Sequence, residues 1–188
     1  MWPRCKISKL NHLSTLKIPL TMANLITPNE ISSLAREVFI DESKANRFIA
    51  EAEELDVRPA IGDKMLQYIR NNVASCTDLL NGTTYTYNGQ TYTFAGLKTA
   101  IAYYAYSRLI VGGDIEVTRS GMRSRDSDYS HQAPLEERQQ VSRECSAIAD
   151  RHINQALDYI KRTDTLAANL ERSKRADSQR TKCKIIGD

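Results

Sequence analysis

The most apolar stretch of the chain runs from Leu97 to Val111. Almost every position there is Ala, Ile, Leu, Val or Tyr, and the few polar exceptions, such as Lys98 and Arg108, leave no continuous polar stripe. A helix that is apolar nearly all round is buried on several sides. The pattern therefore predicts either the central helix of a bundle or a helix with the core on one side and another subunit on the other. Gly112 and Gly113 favour its end, because glycine readily adopts the left-handed conformation that closes helices.

Shorter amphipathic patterns come before this stretch. Thr27, Pro28 and Glu30 form a helix start with a capping box, and Asp41 is predicted to cap a second helix. Glu51, Glu53 and Glu54 are predicted to face water on that second helix. The apolar positions predicted to face inward are Ile31, Leu34, Ala35 and Val38 in the first helix, Phe48, Ile49, Ala52 and Leu55 in the second, and Ile61, Met65, Leu66, Ile69 and Val73 in a third.

The longest predicted helix begins at Pro134 and runs to about Arg162. A near-heptad seam of apolar residues predicts its inward face. His152 lies on this seam, and we expect it to be a packed, hydrogen-bonded residue rather than a ligand. The predicted seam consists of Leu135, Val141, Cys145, Ile148, His152, Ala156 and Tyr159.

Between residues 83 and 94 the period of the pattern changes from that of a helix to that of a strand. Asn88-Gly89 separates two β-rich arms and is the strongest short signal for a hairpin, because both turn positions need a positive φ. One face of the predicted hairpin is threonine. A lone two-stranded hairpin is marginal in water, so its aromatic face should pack on its own bundle or on a neighbouring subunit. That aromatic face is formed by Tyr85, Tyr87, Tyr92 and Phe94.

These patterns predict a mainly α fold, a small helical bundle with one β-hairpin insertion and an extended C-terminal tail. The bundle covers residues 22–162, with the hairpin at 83–94 and a polar, turn-rich loop at 114–133. Long loops inside compact domains are usually functional. We expect Met22 to be the functional start and residues 1–21 to be a non-native or disordered extension, which the intact mass of the native protein would test. Residues 163–188 form a basic tail whose adjacent Ile185 and Ile186 favour a small docking strand.

The net charge of +3 is unevenly distributed. Residues 1–21 carry four Lys or Arg and no acid, residues 22–160 carry fourteen against nineteen acids, and residues 161–188 carry eight against four. The body is therefore mildly acidic and both ends are basic.

No apolar run reaches the length of a membrane span. The four cysteines are scattered singly, which indicates reduced thiols in a cytosolic setting rather than a disulfide framework or a metal knuckle.

Motifs of known catalytic or nucleotide-binding sites are missing. The chain has no Walker loop, Rossmann glycine pattern, His-Glu-x-x-His or nucleophile elbow, so we expect no enzymatic activity, no cofactor and no metal. Arg119, Arg123 and Arg125 make the only internal basic cluster. Their pattern suits recognition of a protein or nucleic-acid surface better than catalysis.

The layout of the chain resembles the head-to-tail connector (adaptor) proteins of tailed phages, and most of all those of phages of gut Bacteroidales, including the crAss-like phages. The resemblance covers about residues 24–162 and the Ile-Ile-Gly of the tail. It is carried by the N-terminal helices, the Asn-Gly hairpin, Gly96-Leu-Lys-Thr-Ala-Ile-Ala-Tyr-Tyr-Ala-Tyr-Ser-Arg108, Val117-Thr-Arg-Ser-Gly-Met122, Tyr129-Ser130 and the long helix from Pro134.

This resemblance implies a virion structural protein, made in the cytoplasm of the host bacterium and located in the virion neck. Such connectors form a ring, typically of twelve copies, that binds the portal and a second neck or tail protein. The ring lines the channel for genome ejection, through which DNA passes without sequence-specific binding. The resemblance assigns packing and interface roles to Gly96, Tyr103, Tyr104, Tyr106 and Arg108.

A ring needs two different complementary patches on each subunit. The candidates are the aromatic face of the hairpin and the segment from Thr118 to Tyr129. Arg108 should pair with a carboxylate or lie in a subunit interface, because burying an unpaired charge is costly. The predicted interface residues are Tyr85, Tyr87, Tyr92, Phe94, Arg108, Thr118, Arg119, Gly121, Arg123, Tyr129, Ile185 and Ile186.

Two other functions stay open on the sequence alone. One is a DNA-binding or packaging accessory protein of the same kind of phage, which would use the basic tails and the arginine cluster and would bind DNA with a steep salt dependence. The other is a metabolic enzyme with an unrecognised site, which would need a saturable activity.

Overall fold

The computed structural model describes residues 24–39, 41–113, 115–118, 121–124 and 133–163. The predicted fold class is confirmed, because helices predominate and a β-hairpin is inserted between them. The helices are α1 (Pro28–Leu34), α2 (Glu42–Ala52), α3 (Arg58–Ile61), α4 (Asp63–Asn71), α5 (Thr77–Asn81), α6 (Leu97–Gly112) and α7 (Leu135–Arg162); the strands are β1 (Thr83–Tyr87), β2 (Gln90–Phe94), β3 (Ile115–Thr118) and β4 (Gly121–Ser124). A π-helical turn, Glu53–Val57, joins α2 to α3, and a 3₁₀ turn, Val73–Cys76, precedes α5.

Helix α6 is the centre of the bundle. It packs on α7, α2, α1 and α5 of the same chain, as the first of the two sequence-based alternatives predicts. Its buried residues are Leu97, Thr99, Ala100, Ile101, Ala102, Tyr104, Ala105, Ser107 and Leu109.

Helix α7 runs antiparallel to α6. The hydroxyl of Tyr104 donates a 2.5 Å hydrogen bond to Asp150, and Tyr103 stacks on His152 with ring centroids 5.9 Å apart. The buried face of α7 agrees with the predicted seam at Cys145, Ala156 and Tyr159 and departs from it at other positions. Leu135 is exposed and Ile148 is only partly buried. The buried residues of α7 are Cys145, Ala149, Ile153, Ala156, Tyr159 and Ile160.

The predicted helix starts are confirmed. At α1 the Glu30 carboxylate accepts hydrogen bonds from the backbone N–H and the hydroxyl of Thr27, at 2.7 and 3.1 Å. At α2 the Asp41 carboxylate accepts from the N–H groups of Ser43 and Lys44. These bonds satisfy donors that a helix leaves unpaired in its first turn.

The π-helical turn after α2 changes which side chains face the core. Leu55, predicted to face inward, is 59 % exposed, whereas Val57 is buried. Glu53, predicted to face water, is 0 % exposed. A π turn holds one residue more than an α turn, so the side chains after Glu53 point in different directions from those that an α-helical period predicts.

Strands β1 and β2 form the predicted hairpin. They pair antiparallel from Thr83 opposite Phe94 to Tyr87 opposite Gln90. Both turn residues have a positive φ, 50° at Asn88 and 76° at Gly89. The sequence-based turn is therefore confirmed.

A second antiparallel pair lies inside the segment predicted as a loop. Strand β3 pairs with β4 in a register that sets Thr118 opposite Gly121. The β-branched residues Ile115, Val117 and Thr118 suit a strand. The remaining residues of the 114–133 segment, like the 1–21 extension and the tail beyond residue 163, lie outside the described residues.

Two glycines close the base of the first hairpin. Gly82 and Gly96 have φ values of 87° and 91°, which L-residues with a side chain rarely adopt. A Cβ at Gly96 would lie 2.4 Å from the backbone nitrogen of Gly82, and a Cβ at Gly82 would lie 2.4 Å from the carbonyl oxygen of Phe94. The two backbones can meet only because neither residue has a side chain.

Candidate interaction surface

The aromatic face of the hairpin packs on the C-terminal part of α7 in the same chain. Phe94 stacks on Tyr159 with centroids 4.7 Å apart, and Tyr85 meets Tyr159 edge-on at 5.1 Å. Tyr92 stacks on Tyr85 at 5.6 Å. Of the two partners left open by the sequence, the structure places this face on its own bundle. Phe94 is only 6 % exposed and is therefore a core residue of its own chain rather than a subunit contact.

Arg162 completes this contact at the end of α7. Its guanidinium carbon lies 4.4 Å from the ring centroid of Tyr92 and 5.3 Å from that of Tyr87, and it donates to the Tyr85 hydroxyl at 3.4 Å. Cation–π contacts of this kind add to the packing of the rings. The hairpin is thus held on α7 through both its strands. Tyr87 remains 40 % exposed, so it is the aromatic side chain on this face that another molecule reaches most easily.

The opposite face of the hairpin is open to solvent. Its side chains are those of Thr84, Thr86, Thr91 and Thr93, all exposed, and we call it the threonine face. The hydroxyls of Thr84 and Thr93 lie 3.0 Å apart and share a hydrogen bond. Neither strand contains a charged residue. The hairpin therefore presents a firmly anchored, uncharged surface.

Arg108 has the carboxylate partner that its apolar neighbourhood led us to expect. Its Nε and Nη2 donate to the Asp56 carboxylate at 2.8 to 3.0 Å. Both side chains are about one-quarter exposed. Asp56 belongs to the π-helical turn, so this bidentate pair fastens that turn to the central helix.

The remaining predicted interface residues are described partly or not at all. Thr118, Gly121 and Arg123 lie in β3 and β4, where Arg123 is opposite Glu116 in the strand register. Arg119, Tyr129, Ile185 and Ile186 lie outside the described residues. Their roles stay predictions.

A buried ion-pair network, which the sequence pattern did not indicate, lies behind the π-helical turn. Arg70 of α4 donates to Glu53 at 2.8 Å and to Glu54 at 3.0 Å. Glu53 also accepts the N–H of Leu25 at 2.6 Å, which fixes the segment before α1. The sequence does hold a signal for Glu53, because it follows the buried Ala45 and Ile49 at steps of four residues.

Burial is the largest single influence on the pKa values of Glu53 and Arg70, but it sets the net direction only at Glu53. It raises the pKa of the Glu53 carboxyl above its usual value, although the bonds from Arg70 and Leu25 act in the opposite direction. Burial lowers the pKa of Arg70, but its hydrogen bonds to Glu53 and Glu54 outweigh that effect and keep the pKa above its usual value. Such a pair stabilises the fold only while both partners are present.

A small cleft of about 160 Å³ lies between α1 and the start of α6. Its two charged groups satisfy each other, since Lys98 donates to Glu30 at 2.7 Å. Burial acts to raise the pKa of Glu30, but the bonds from Lys98 and Thr27 lower it below its usual value.

No group of three or more His, Cys, Asp or Glu side chains among the described residues is placed to hold a metal ion. Within the same residues, no helix is both long and apolar enough to span a membrane.

Two buried polar groups of α7 lack partners within the described part of the chain. The Nδ1 atom of His152 has no hydrogen-bond partner, so the expected hydrogen bond is not found there and ring stacking on Tyr103 holds this side chain. The Nε and Nη1 atoms of Arg138 are also buried without an acceptor. Burying polar groups without hydrogen bonds costs free energy.

We therefore expect Arg138→Met to stabilise the protein. Methionine keeps the apolar stem and removes the unpaired donors, so the free energy of unfolding should rise by about 1 to 2 kcal/mol. Urea denaturation followed by circular dichroism measures this change. Arg143→Met, an exposed site on the same helix, is the control and should stay within about 0.5 kcal/mol of the parent. A loss of stability in Arg138→Met would mean that the guanidinium has an acceptor in solution.

Comparison with known proteins places the chain in a family without assigning a function. No curated protein and no solved structure matches it. One family model matches residues 57–172, which include the end of the π-helical turn, the first hairpin, α6 and α7. Because this match covers more than half of the chain, the protein belongs to DUF6712, a family of unknown function.

Proposed function

We propose that this protein is a virion structural protein whose copies form a head-to-tail connector ring. The ring would link a phage portal to the next neck or tail component and surround the channel through which DNA leaves. The proposal rests on the resemblance of the chain to connector proteins and on the surface that the bundle presents.

The observation that carries the proposal is the hairpin anchored on α7. Tyr85 and Phe94 hold one face on Tyr159, so the threonine face is displayed on a firm support. Charged residues are depleted at the centre of protein interfaces, and this face has none. A fixed, uncharged sheet face suits contact with a neighbouring subunit. The second patch that a ring needs would come from the segment between Thr118 and Tyr129.

Charge also favours a conduit over a DNA-binding protein. Between residues 22 and 160 acids outnumber bases. Several arginines of the described bundle are paired with carboxylates of the same chain, which lowers the positive potential that phosphates would meet: Arg47 with Glu51, Arg58 with Glu54 and Asp63, Arg70 with Glu53 and Glu54, and Arg108 with Asp56. The accessory-protein alternative would depend on Arg119, Arg123 and Arg125.

The test is to mix the purified protein with the portal protein of the phage that encodes it and to image the product by electron microscopy. A ring stacked on the narrow end of the portal is expected. No association, combined with duplex-DNA affinity that falls steeply with salt, would replace the proposal with the DNA-binding alternative. A monomer in the absence of portal is compatible with the proposal, because assembly can require the portal surface.

Thr86→Lys tests the contact surface itself. Thr86 is exposed on the threonine face, so lysine there should leave the thermal unfolding of the single chain nearly unchanged while placing a charge in the subunit contact. We expect the affinity of each subunit contact to fall at least roughly tenfold, which corresponds to about 1.4 kcal/mol, and the yield of rings on the portal to fall with it. Gln139→Lys, on an exposed position of α7, is the control and should assemble normally. Unimpaired assembly of Thr86→Lys would exclude the threonine face as a contact.

A further inference from the structure

The first hairpin has an unprotected edge. It is a two-stranded sheet, so each strand has one side that no other strand pairs with among the described residues. Natural edge strands are usually blunted by lysine, proline or a bulge. Here the strands read Thr-Thr-Tyr-Thr-Tyr and Gln-Thr-Tyr-Thr-Phe, and their register is continuous from Thr83 opposite Phe94 to Tyr87 opposite Gln90.

The register also shows which backbone groups are unpaired. In a hairpin with a two-residue turn, the pair that flanks the turn exchanges hydrogen bonds, and bonded and non-bonded pairs then alternate. Tyr87–Gln90 flanks the turn and Tyr85–Tyr92 is the next bonded pair. The N–H groups of Thr91 and Thr93 therefore point away from β1, along the free edge of β2.

The chain that follows α7 starts at the aromatic face of the hairpin, where Arg162 contacts Tyr87 and Tyr92. Helix α7 packs on β2, and its last residue, Arg162, lies against the Tyr92 ring. Residues 163–184 separate Arg162 from Ile185. A segment of that length can span up to roughly 70 Å, so Ile185 and Ile186 can reach the edge of β2 in their own chain.

We infer that the segment Lys184-Ile185-Ile186 adds to the free edge of β2 as a third strand in the isolated chain. Strand addition uses backbone hydrogen bonds for affinity, and isoleucine is a strong strand former. A third strand also relieves the marginal stability of a two-stranded hairpin. Tethering favours the chain's own segment over that of another copy, because a linker gives an effective concentration on the order of millimolar. This inference is independent of ring assembly.

Amide hydrogen exchange of the full chain, followed by NMR, tests the inference. The amides of Thr91 and Thr93 should exchange at least roughly tenfold more slowly in the parent than in Ile185→Asp/Ile186→Asp. The matched variant Ile185→Val/Ile186→Val keeps the β-branched side chains and should retain the protection. The amides of Thr84 and Thr86, on the other edge, should not differ between the three proteins.

Equal exchange of Thr91 and Thr93 in the parent and the Asp variant would overturn the inference. Protection that appears at Thr84 and Thr86 instead would overturn the choice of edge. Protection that increases with protein concentration would show strand exchange between copies and would overturn pairing within one chain. Because the variants lie in the tail, the bundle should remain folded in all of them, which the unchanged protection of the Tyr85 and Tyr92 amides would verify.

Discussion

Gly96→Ala should lower the free energy of unfolding by roughly 3 kcal/mol or more, enough to unfold a marginally stable domain. Alanine is strained at the φ of 91° and ψ of 159°, a region essentially restricted to glycine, which costs about 1 to 3 kcal/mol. Its Cβ would also lie 2.4 Å from both the nitrogen of Gly82 and the carbonyl oxygen of Leu80. These are backbone atoms, so relief requires the base of the hairpin to move away from α6. Urea denaturation measures the change.

Gly62→Ala is the matched control for this prediction. Gly62 has nearly the same conformation, with a φ of 87°, but a Cβ there would meet nothing within 4 Å. Gly62→Ala should therefore cost only the strain of its backbone conformation, about 1 to 3 kcal/mol, and less than Gly96→Ala. Gly82→Ala should resemble Gly96→Ala, because the two glycines approach each other. If Gly96→Ala cost no more than Gly62→Ala, the close approach of the two backbones would not exist in solution.

Arg70→Met is expected to have the largest effect of any charge substitution considered. It removes the cation that pairs with the fully buried Glu53, and an uncompensated buried charge costs about 3 to 5 kcal/mol. Arg47→Met removes the pair between Arg47 and Glu51, whose side chains are 74 % and 37 % exposed. Exposed pairs contribute at most about 1 kcal/mol, so this control should stay near the parent in the same denaturation experiment.

A double substitution separates the buried charge from simple loss of packing. In Glu53→Gln/Arg70→Met the carboxylate is gone as well, so we expect part of the lost stability to return. If the double variant were as unstable as Arg70→Met, the effect would come from packing around Arg70 rather than from the charge of Glu53.

The same variants have an expected pH dependence. Burial already raises the pKa of Glu53 in the folded protein, and removing Arg70 removes an opposing influence. A group whose folded pKa lies above its unfolded value binds protons more tightly when folded, so stability rises as pH falls through the folded pKa. The stability deficit of Arg70→Met relative to the double variant should therefore shrink as the pH falls from neutrality towards the usual glutamate value of 4.5. A deficit that stayed constant over this range would contradict the assignment.

Local patterns predicted much of the secondary structure. The capping residues Thr27 and Asp41, the Asn88-Gly89 turn and the start of α7 after Pro134 were all identified from the sequence. Each of these signals acts over a few residues through backbone hydrogen bonds or allowed φ values, so the signal is contained in a short stretch of sequence. The second strand pair was missed, because its β-branched residues are interrupted by polar and turn residues.

The direction in which side chains face was less predictable. The π-helical turn exposed Leu55 and buried Val57, and nothing in the local pattern distinguishes an α turn from a π turn. What favours the π turn is distant in sequence: Arg108 holds Asp56, and Arg70 holds Glu53. Likewise, the buried face of α7 is the one that packs on α6, a partner distant in sequence.

The hairpin surface shows the same difference between what local sequence predicts and what tertiary contacts decide. From the alternation of tyrosine and threonine, the sequence by itself determined that the hairpin has one aromatic and one threonine face. Only the tertiary structure decided that the aromatic face is covered by Tyr159 and Arg162, leaving the threonine face and the β2 edge open. The physical reason is that a strand's alternation depends on neighbouring residues, whereas the partner of a face depends on which elements the whole fold brings together.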